Sequence, residues 1–258
     1  MSRKKKLLSV LRDITPPFIW ATLRQRFGQY FPDIASVNYQ GVSTQHSMRC
    51  LHEGYFAQLY DRYRTLNPNN SENLTRLRIY NACLFAEFAR AVPGDYLSAG
   101  ISYGIAPRII FDFVKFWQLS KAYHFVDPFT GSNNPADKKN HPYNEDVSFV
   151  IQQYPSNAAI KIHKALIPNC FPIDDIELLA FVHLNVTHPP SEAASLSYLY
   201  DKLSPGGFIL IDYYGYGTGQ YEWFDPVEDQ LGIKIFSMVT GQGVIQKPLD
   251  FVSNNYES

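Results

Sequence analysis

The sequence predicts an α/β fold: a mostly parallel sheet with helices on both faces, closed by an antiparallel terminal hairpin. Three observations carry this. From Gly94 onward, short apolar runs alternate with helical patterns. The runs are apolar along their length, as strands buried between two helical layers are. A hydrophobic share of 45% over 258 residues supplies one sizeable core.

The elements follow in order. Residues 27–70 are polar and irregular, apart from a short helical pattern at 55–63 and a turn at Asn67-Pro68-Asn69-Asn70. Residues 71–92 read as a helix, with Leu74, Leu77, Tyr80, Leu84, Phe85 and Phe88 recurring at three and four and Pro93-Gly94 stopping it. Strands are expected at 95–99, 122–126, 159–163, 178–184 and 208–211, and helices at 105–119, 144–154 and 190–203. Ser204-Pro205-Gly206-Gly207 reads as the turn before the fifth strand, and Gly241-Gln242-Gly243 as the tip of a hairpin joining 234–239 to 244–246. Residues 1–70 are thus expected to form an extension and 71–258 the main domain.

Composition excludes several classes. Net charge is −1, without the basic excess of a general nucleic-acid binder. No apolar run approaches the ~20 residues of a membrane span. Cys50, Cys83 and Cys170 are odd in number and far apart, which argues against a disulfide scaffold and fits a reducing, cytoplasmic setting. Seven basic groups crowd residues 1–26 beside one acid, Asp13, and lack a secretory cleavage site. This arm either lies on an anionic membrane surface, with Leu7, Leu8, Phe18 and Trp20 among the basic groups, or packs as a helical arm on the domain or a sister subunit.

A parallel sheet brings every strand's C-terminal end to one side, where ligands bind at the switch point. The first strand ends in Gly100, Ile101, Ser102, Tyr103 and Gly104. Glycine there permits a tight turn and close approach of a ligand to the backbone, although a plain strand-to-helix turn has the same look. The second strand ends in Asp127, whose carboxylate can accept from both hydroxyls of a ribose; the alternative is a turn residue before Pro128. A third glycine is missing, which disfavours a dinucleotide and suits a nucleoside without pyrophosphate, such as S-adenosylmethionine. Asn185 and Asp212 close adjacent strands, where they would share a Mg²⁺ ion, hold a substrate hydroxyl, or cap loops. His188, in a loop, is the better general-base candidate; His183 lies inside an apolar strand and reads as a core residue. His163 either touches the adenine or is an exposed loop residue, and His124 is structural. Gly215, Gly217 and Gly219 interleave with Tyr214, Tyr216 and Tyr221, as an aromatic flap over a sugar or as a solvent-facing turn.

Five segments in this order carry a resemblance: LSAGISYG at 97–104, HFVDPFTG at 124–131, HLNVTHPPSEAA at 183–194, LSPGGFILIDYYG at 203–215 and TGQGVIQKP at 240–248. Together they resemble the macrocin O-methyltransferase-like branch of class I S-adenosylmethionine-dependent methyltransferases, over residues 71–248. The resemblance implies a Rossmann-like fold and methylation of a hydroxyl on a sugar, in a glycosylated metabolite or a surface polysaccharide, with Mg²⁺. By it, Gly100 to Gly104 cradle the cofactor's methionine part, Asp127 holds the ribose, and Asn185 and Asp212 stand at metal positions. The chain departs from the family at Asn185, in place of an Asp, at Tyr213, in place of the second Asp of Asp-Asp-Tyr-Gly, and at Ser98, in place of an acid. These departures motivate the alternative of a non-catalytic binding module in such a pathway.

Overall fold

The computed structural model of the chain describes residues 37–39, 42–44, 48–66, 76–130, 146–215 and 221–249. The basic arm at 1–26, the turn at 67–70 and the centre of the aromatic flap, 216–220, lie outside them. Strands β1 (Val37–Tyr39) and β2 (Val42–Thr44) form a small antiparallel pair. Helices α1 (Arg49–His52), α2 (Gly54–Tyr63) and α3 (Arg76–Phe88) precede the main sheet.

The sheet alternates with helices as expected: β3 (Asp95–Ala99), α4 (Ile105–Phe113), β4 (Tyr123–Val126), α5 (Val147–Ile151), β5 (Ile160–His163), β6 (Leu179–Leu184), α6 (Pro189–Lys202), β7 (Leu203–Ile211), α7 (Tyr221–Leu231), β8 (Phe236–Ser237) and β9 (Gly243–Gln246). The seven strands lie in the order β5-β4-β3-β6-β7-β9-β8. The first five are mutually parallel, and β9 runs antiparallel to both β7 and β8. The hairpin is therefore present, with its second strand inserted against β7. The order reverses between β3 and β6, so the C-terminal crevice opens there.

Strand alternation divides the core in two. On one face Tyr96, Tyr123, Phe125, Phe181, Phe208 and Leu210 pack against α3 and α4. On the other, Leu97, Ala99, Val126, Val182, Leu184, Ile209 and Ile211 pack against Ala193, Leu196 and Leu199 of α6 and Phe224 of α7. Tyr96 makes edge-on contacts with Phe116, Tyr123 and Phe181 at 5.2–5.8 Å between ring centres, the arrangement that ring quadrupoles favour. Residues 48–66, read as extension, join the first core: Leu51, Phe56, Leu59 and Tyr60 are buried in it, and Tyr63 Oη donates to Asp112 Oδ2 of α4 at 2.5 Å.

Among the boundaries that differ from expectation, two have a clear local cause. The helix after β3 stops at Phe113 because Lys115 takes a left-handed conformation (φ 52°), and a 3₁₀ turn at Phe116–Gln118 replaces its last turns. Residues 204–207 are not a turn but the start of β7. Gly206 N donates to Lys247 O at 2.8 Å and Lys247 N to Gly207 O at 3.0 Å, so the ladder with the segment after β9 runs through them. A Cβ at Gly207 would sit 2.9 Å from the Ala180 carbonyl oxygen, and glycine there lets β7 lie close against β6. No helix among the described residues is long and apolar enough to cross a membrane.

Candidate active site

The crevice is built at the ends of β3, β4, β6 and β7. Gly100 has φ 81°, and its N–H donates to Val126 O at 3.0 Å. A Cβ on it would lie 2.6 Å from the carbonyl carbon of Asn185, so only glycine lets the β3 and β6 ends close together. Gly104, φ 80°, starts α4. Each of three loops at this edge holds a non-glycine residue in the left-handed region: Ser102 (φ 49°), Phe129 (φ 48°) and Thr187 (φ 60°). Such strain, of order 1–2 kcal/mol each, persists where surrounding contacts fix it.

Asp127 supplies those contacts on the β3–β4 side. Its Oδ2 accepts from Ile101 N at 2.7 Å and Ser102 N at 3.1 Å, and its Oδ1 from Phe129 N at 2.8 Å. The side chain faces the glycine loop and is buried. A carboxylate has about four lone-pair sites, and three are occupied by backbone donors. By that count one acceptor position on Oδ1 is left, where the sequence suggested bonds to two ribose hydroxyls. Ser98 is turned away, its Oγ 2.8 Å from the Tyr123 hydroxyl inside the aromatic core. His163, expected near the adenine, has Nε2 2.9 Å from His124 Nδ1.

On the other side, Asn185 and Asp212 sit at neighbouring strand ends, with Asn185 N bonded to Ala99 O and Asp212 N to Leu184 O. Asp212 is buried, and Gln242 Nε2 donates to its Oδ1 at 2.6 Å. His183 Nε2 lies 3.2 Å from the same oxygen but off the N–H direction, so the contact is electrostatic. Burial pushes the Asp212 carboxyl up; His183, the Gln242 donor and the Arg78 guanidinium outweigh it and hold the group below its ordinary range. The network continues through Gln242 Oε1, which accepts from Asn81 Nδ2 and Thr240 Oγ1 at 2.8 Å each, while Arg78 lies over the Tyr213 ring at 5.0 Å. His188 caps α6: its Nδ1 accepts from Ser191 N at 3.3 Å, and the residue is exposed. Tyr214 and Tyr221, on either side of residues 216–220, pack edge to face at 5.0 Å.

Sequence reasoning missed Arg78, Asn81, Gln242 and Glu192. The first two interrupt the apolar face of α3 at a spacing of three, a signal that was available. Glu192 is fully buried in the first turn of α6; its Oε1 accepts from Val186 N at 2.9 Å, and Oε2 has no partner. Burial raises its pKa to about 8, with Asp212 adding to the rise and the Val186 N–H opposing it.

The residues at the β6 and β7 ends do not fit Mg²⁺. Asn185 is neutral, Tyr213 faces Arg78, Asp212 already accepts from Gln242, and burial favours the protonated form of neighbouring Glu192. A hard divalent ion takes several anionic or neutral oxygens, and this donor set offers few. The glycine loop and Asp127 do fit an adenosyl ligand, since a buried carboxylate with acceptor capacity adjoins a turn whose backbone carries no Cβ at Gly100 and Gly104.

Comparison with known proteins bears on this geometry. The family profile described as Macrocin-O-methyltransferase (TylF) matches residues 73–235. Among solved structures, the O-methyltransferase NovP superposes with TM-score 0.55 at 18% identity, over 66% of this chain and 79% of that one. The S-adenosylhomocysteine-bound methyltransferase PaMTH1 of Podospora anserina superposes with TM-score 0.51 at 13% identity, over 92% and 99%. The O-methyltransferase TomG of Streptomyces achromogenes, in complex with S-adenosylmethionine, gives 0.50 at 7% identity, over 74% and 90%. No curated protein matches the chain in sequence.

Proposed function

This chain belongs to the macrocin O-methyltransferase family, whose members are S-adenosylmethionine-dependent enzymes, and from that premise we propose that its acceptor is a hydroxyl of a sugar or sugar-bearing small molecule. The observation that carries the reading is Asp127, fixed by three backbone donors beside Gly100 at the sheet's switch point. Gly100, Ile101, Ser102, Tyr103 and Gly104 provide the backbone wall of the cofactor site, and the open acceptor site of Asp127 Oδ1 takes one ribose hydroxyl.

When bound, S-adenosylmethionine supplies a methyl group already activated on a sulfonium. The protein's task is then to place the acceptor oxygen in line and exclude water. Asp212, held ionised, accepts the hydrogen bond of the acceptor hydroxyl and takes its proton as the O–C bond forms and the C–S bond breaks. His183, Gln242 and Arg78 keep Asp212 in that state without a metal. His188, expected as the base, has its Nδ1 taken up in capping α6, so its Nε2 carries the proton and can donate rather than accept at the rim. Glu192, raised to about 8, stays protonated at neutral pH and is not a base.

The test is calorimetric titration with S-adenosylhomocysteine, followed by methyl-transfer assays on free and glycosylated sugars with and without EDTA. Binding, with EDTA-insensitive transfer to a sugar hydroxyl, supports the reading. Absence of heat and of thermal shift at millimolar ligand rejects it. Binding without transfer to any glycan favours a non-catalytic module.

A further inference from the structure

We propose that His124, His163 and Asp175 form a site for one divalent transition-metal ion at the β4–β5 edge of the sheet, apart from Asn185 and Asp212. One ring nitrogen of each histidine and one carboxylate oxygen of Asp175 all lie within 4.8 Å of one another. The histidines come together through strand register: His124 is opposite Lys161, and Val126 opposite His163, so both rings leave the same face of the sheet. Their planes differ by 9°, with ring centres 5.2 Å apart and His124 Nδ1 2.9 Å from His163 Nε2. The rings therefore meet edge to edge, each directing a nitrogen into the gap between them. One proton bridges that gap, and a metal ion would replace it.

The far side of His124 is arranged as it is behind metal-bound imidazoles. Asp95 Oδ2 lies 3.2 Å from His124 Nε2, which fixes the tautomer with Nδ1 unprotonated and aimed at the gap. His124 is fully buried, so its ring is held in place by packing. Asp175 is exposed and pairs with Lys161 at 2.9 Å, so it can swing inward once that pair opens. Tetrahedral zinc, with bonds of about 2.0–2.1 Å, needs donor atoms roughly 3.4 Å apart. The imidazole pair must open slightly and Asp175 must close in, both of which are side-chain movements. Two imidazoles and a carboxylate suit Zn²⁺ and leave a fourth position for water.

Such an ion would tie the segment after β5 to the sheet edge. The same backbone serves the cofactor side: Asp127 N donates to His163 O, and Ala165 N to Asp127 O, at 3.2 Å each. Metal binding should thus stiffen the Asp127 loop.

The experiment uses the full chain, stripped of metal and titrated with Zn²⁺ by calorimetry in buffers of different ionisation enthalpy, and with Co²⁺ by visible absorption. The expected result is one ion per chain, about one proton released per ion, a visible Co²⁺ band and a higher melting temperature. His163→Gln and Asp175→Asn, which leave the fully buried His124 itself unchanged, should each weaken binding at least tenfold, with folding checked by circular dichroism. Lys161→Met should tighten it severalfold by removing the competing ammonium. No saturable binding at millimolar Zn²⁺ overturns the proposal, and so does equal affinity in wild type, His163→Gln and Asp175→Asn. Neither readout involves methyl transfer, so this site and the proposed activity stand or fall separately.

Discussion

Gln242 Nε2 donates to Asp212 Oδ1 at 2.6 Å and also to the Arg78 carbonyl at 3.2 Å, so one buried amide joins the end of β7 to α3. Replacing it leaves His183 and Arg78 but removes the amide donor among the groups that keep Asp212 ionised, and strands Asn81 and Thr240. Gln242→Leu is expected to lower stability by about 2–3 kcal/mol, the scale of several buried polar groups left unpaired. Asp212 contributes stability that is present above its unfolded pKa and lost as pH falls through the depressed folded value. In the variant the folded value moves back toward the unfolded one, so this acid-dependent loss should be smaller and complete at higher pH. Urea melts between pH 3 and 7 measure both effects; an unchanged midpoint across the range would show that the amide is incidental.

Glu192 gives the opposite pH signature. Its carboxyl is unfavourable when ionised in the native state, whose pKa is about 8, while the unfolded chain ionises near 4.5. Between those values the native state holds more protons, so stability declines as pH rises through the window. Glu192→Gln keeps the shape and the acceptor for Val186 N but removes the titration. The variant should gain on wild type by about 1 kcal/mol per pH unit at most from pH 5 to 8, reaching a few kcal/mol at pH 9. Parallel stability curves for the two proteins would refute this.

The sheet was legible because apolar runs and helical periods are local signals, and the strand ends fell within a residue or two of expectation, apart from β7. Asp127 was legible for the same reason. Its three amide partners were not, because they depend on left-handed backbone at Ser102 and Phe129, which their side chains do not announce. Asn81 and Gln242 are 161 residues apart, and no local pattern could pair them. Glu192 looks like an ordinary first-turn acid favoured by the helix dipole. Only the packing of α6 over the β6 end makes it a buried acid.

Two glycines of equal φ separate backbone preference from close approach. Gly54 and Gly100 both have φ 81°, but a Cβ on Gly54 meets nothing within 4 Å, whereas one on Gly100 enters the Asn185 peptide. Gly54→Ala should cost about 1–2 kcal/mol, the left-handed penalty alone. Gly100→Ala should cost clearly more, and should weaken S-adenosylhomocysteine binding because the β3 and β6 ends are forced apart. Equal melting temperatures for the two variants would contradict the crowding.

Asp127→Asn tests whether the carboxylate both latches the loop and holds the ligand. An amide presents one acceptor oxygen and one donor nitrogen. With its nitrogen toward Phe129, the Ile101 and Ser102 bonds survive, but the Phe129 N–H loses its acceptor and the acceptor site left for ribose is lost. With its nitrogen toward Ile101 and Ser102, donors face donors and the loop loosens. Either way S-adenosylhomocysteine affinity should fall at least tenfold and stability by about 1–3 kcal/mol, with the larger loss in the second case, where two amides rather than one lose their acceptor. Amide exchange tells them apart: Ile101 and Ser102 stay protected in the first orientation and exchange faster in the second. Undiminished affinity with fast exchange at both amides would mean that Asp127 serves the loop alone, and the ribose would need another partner.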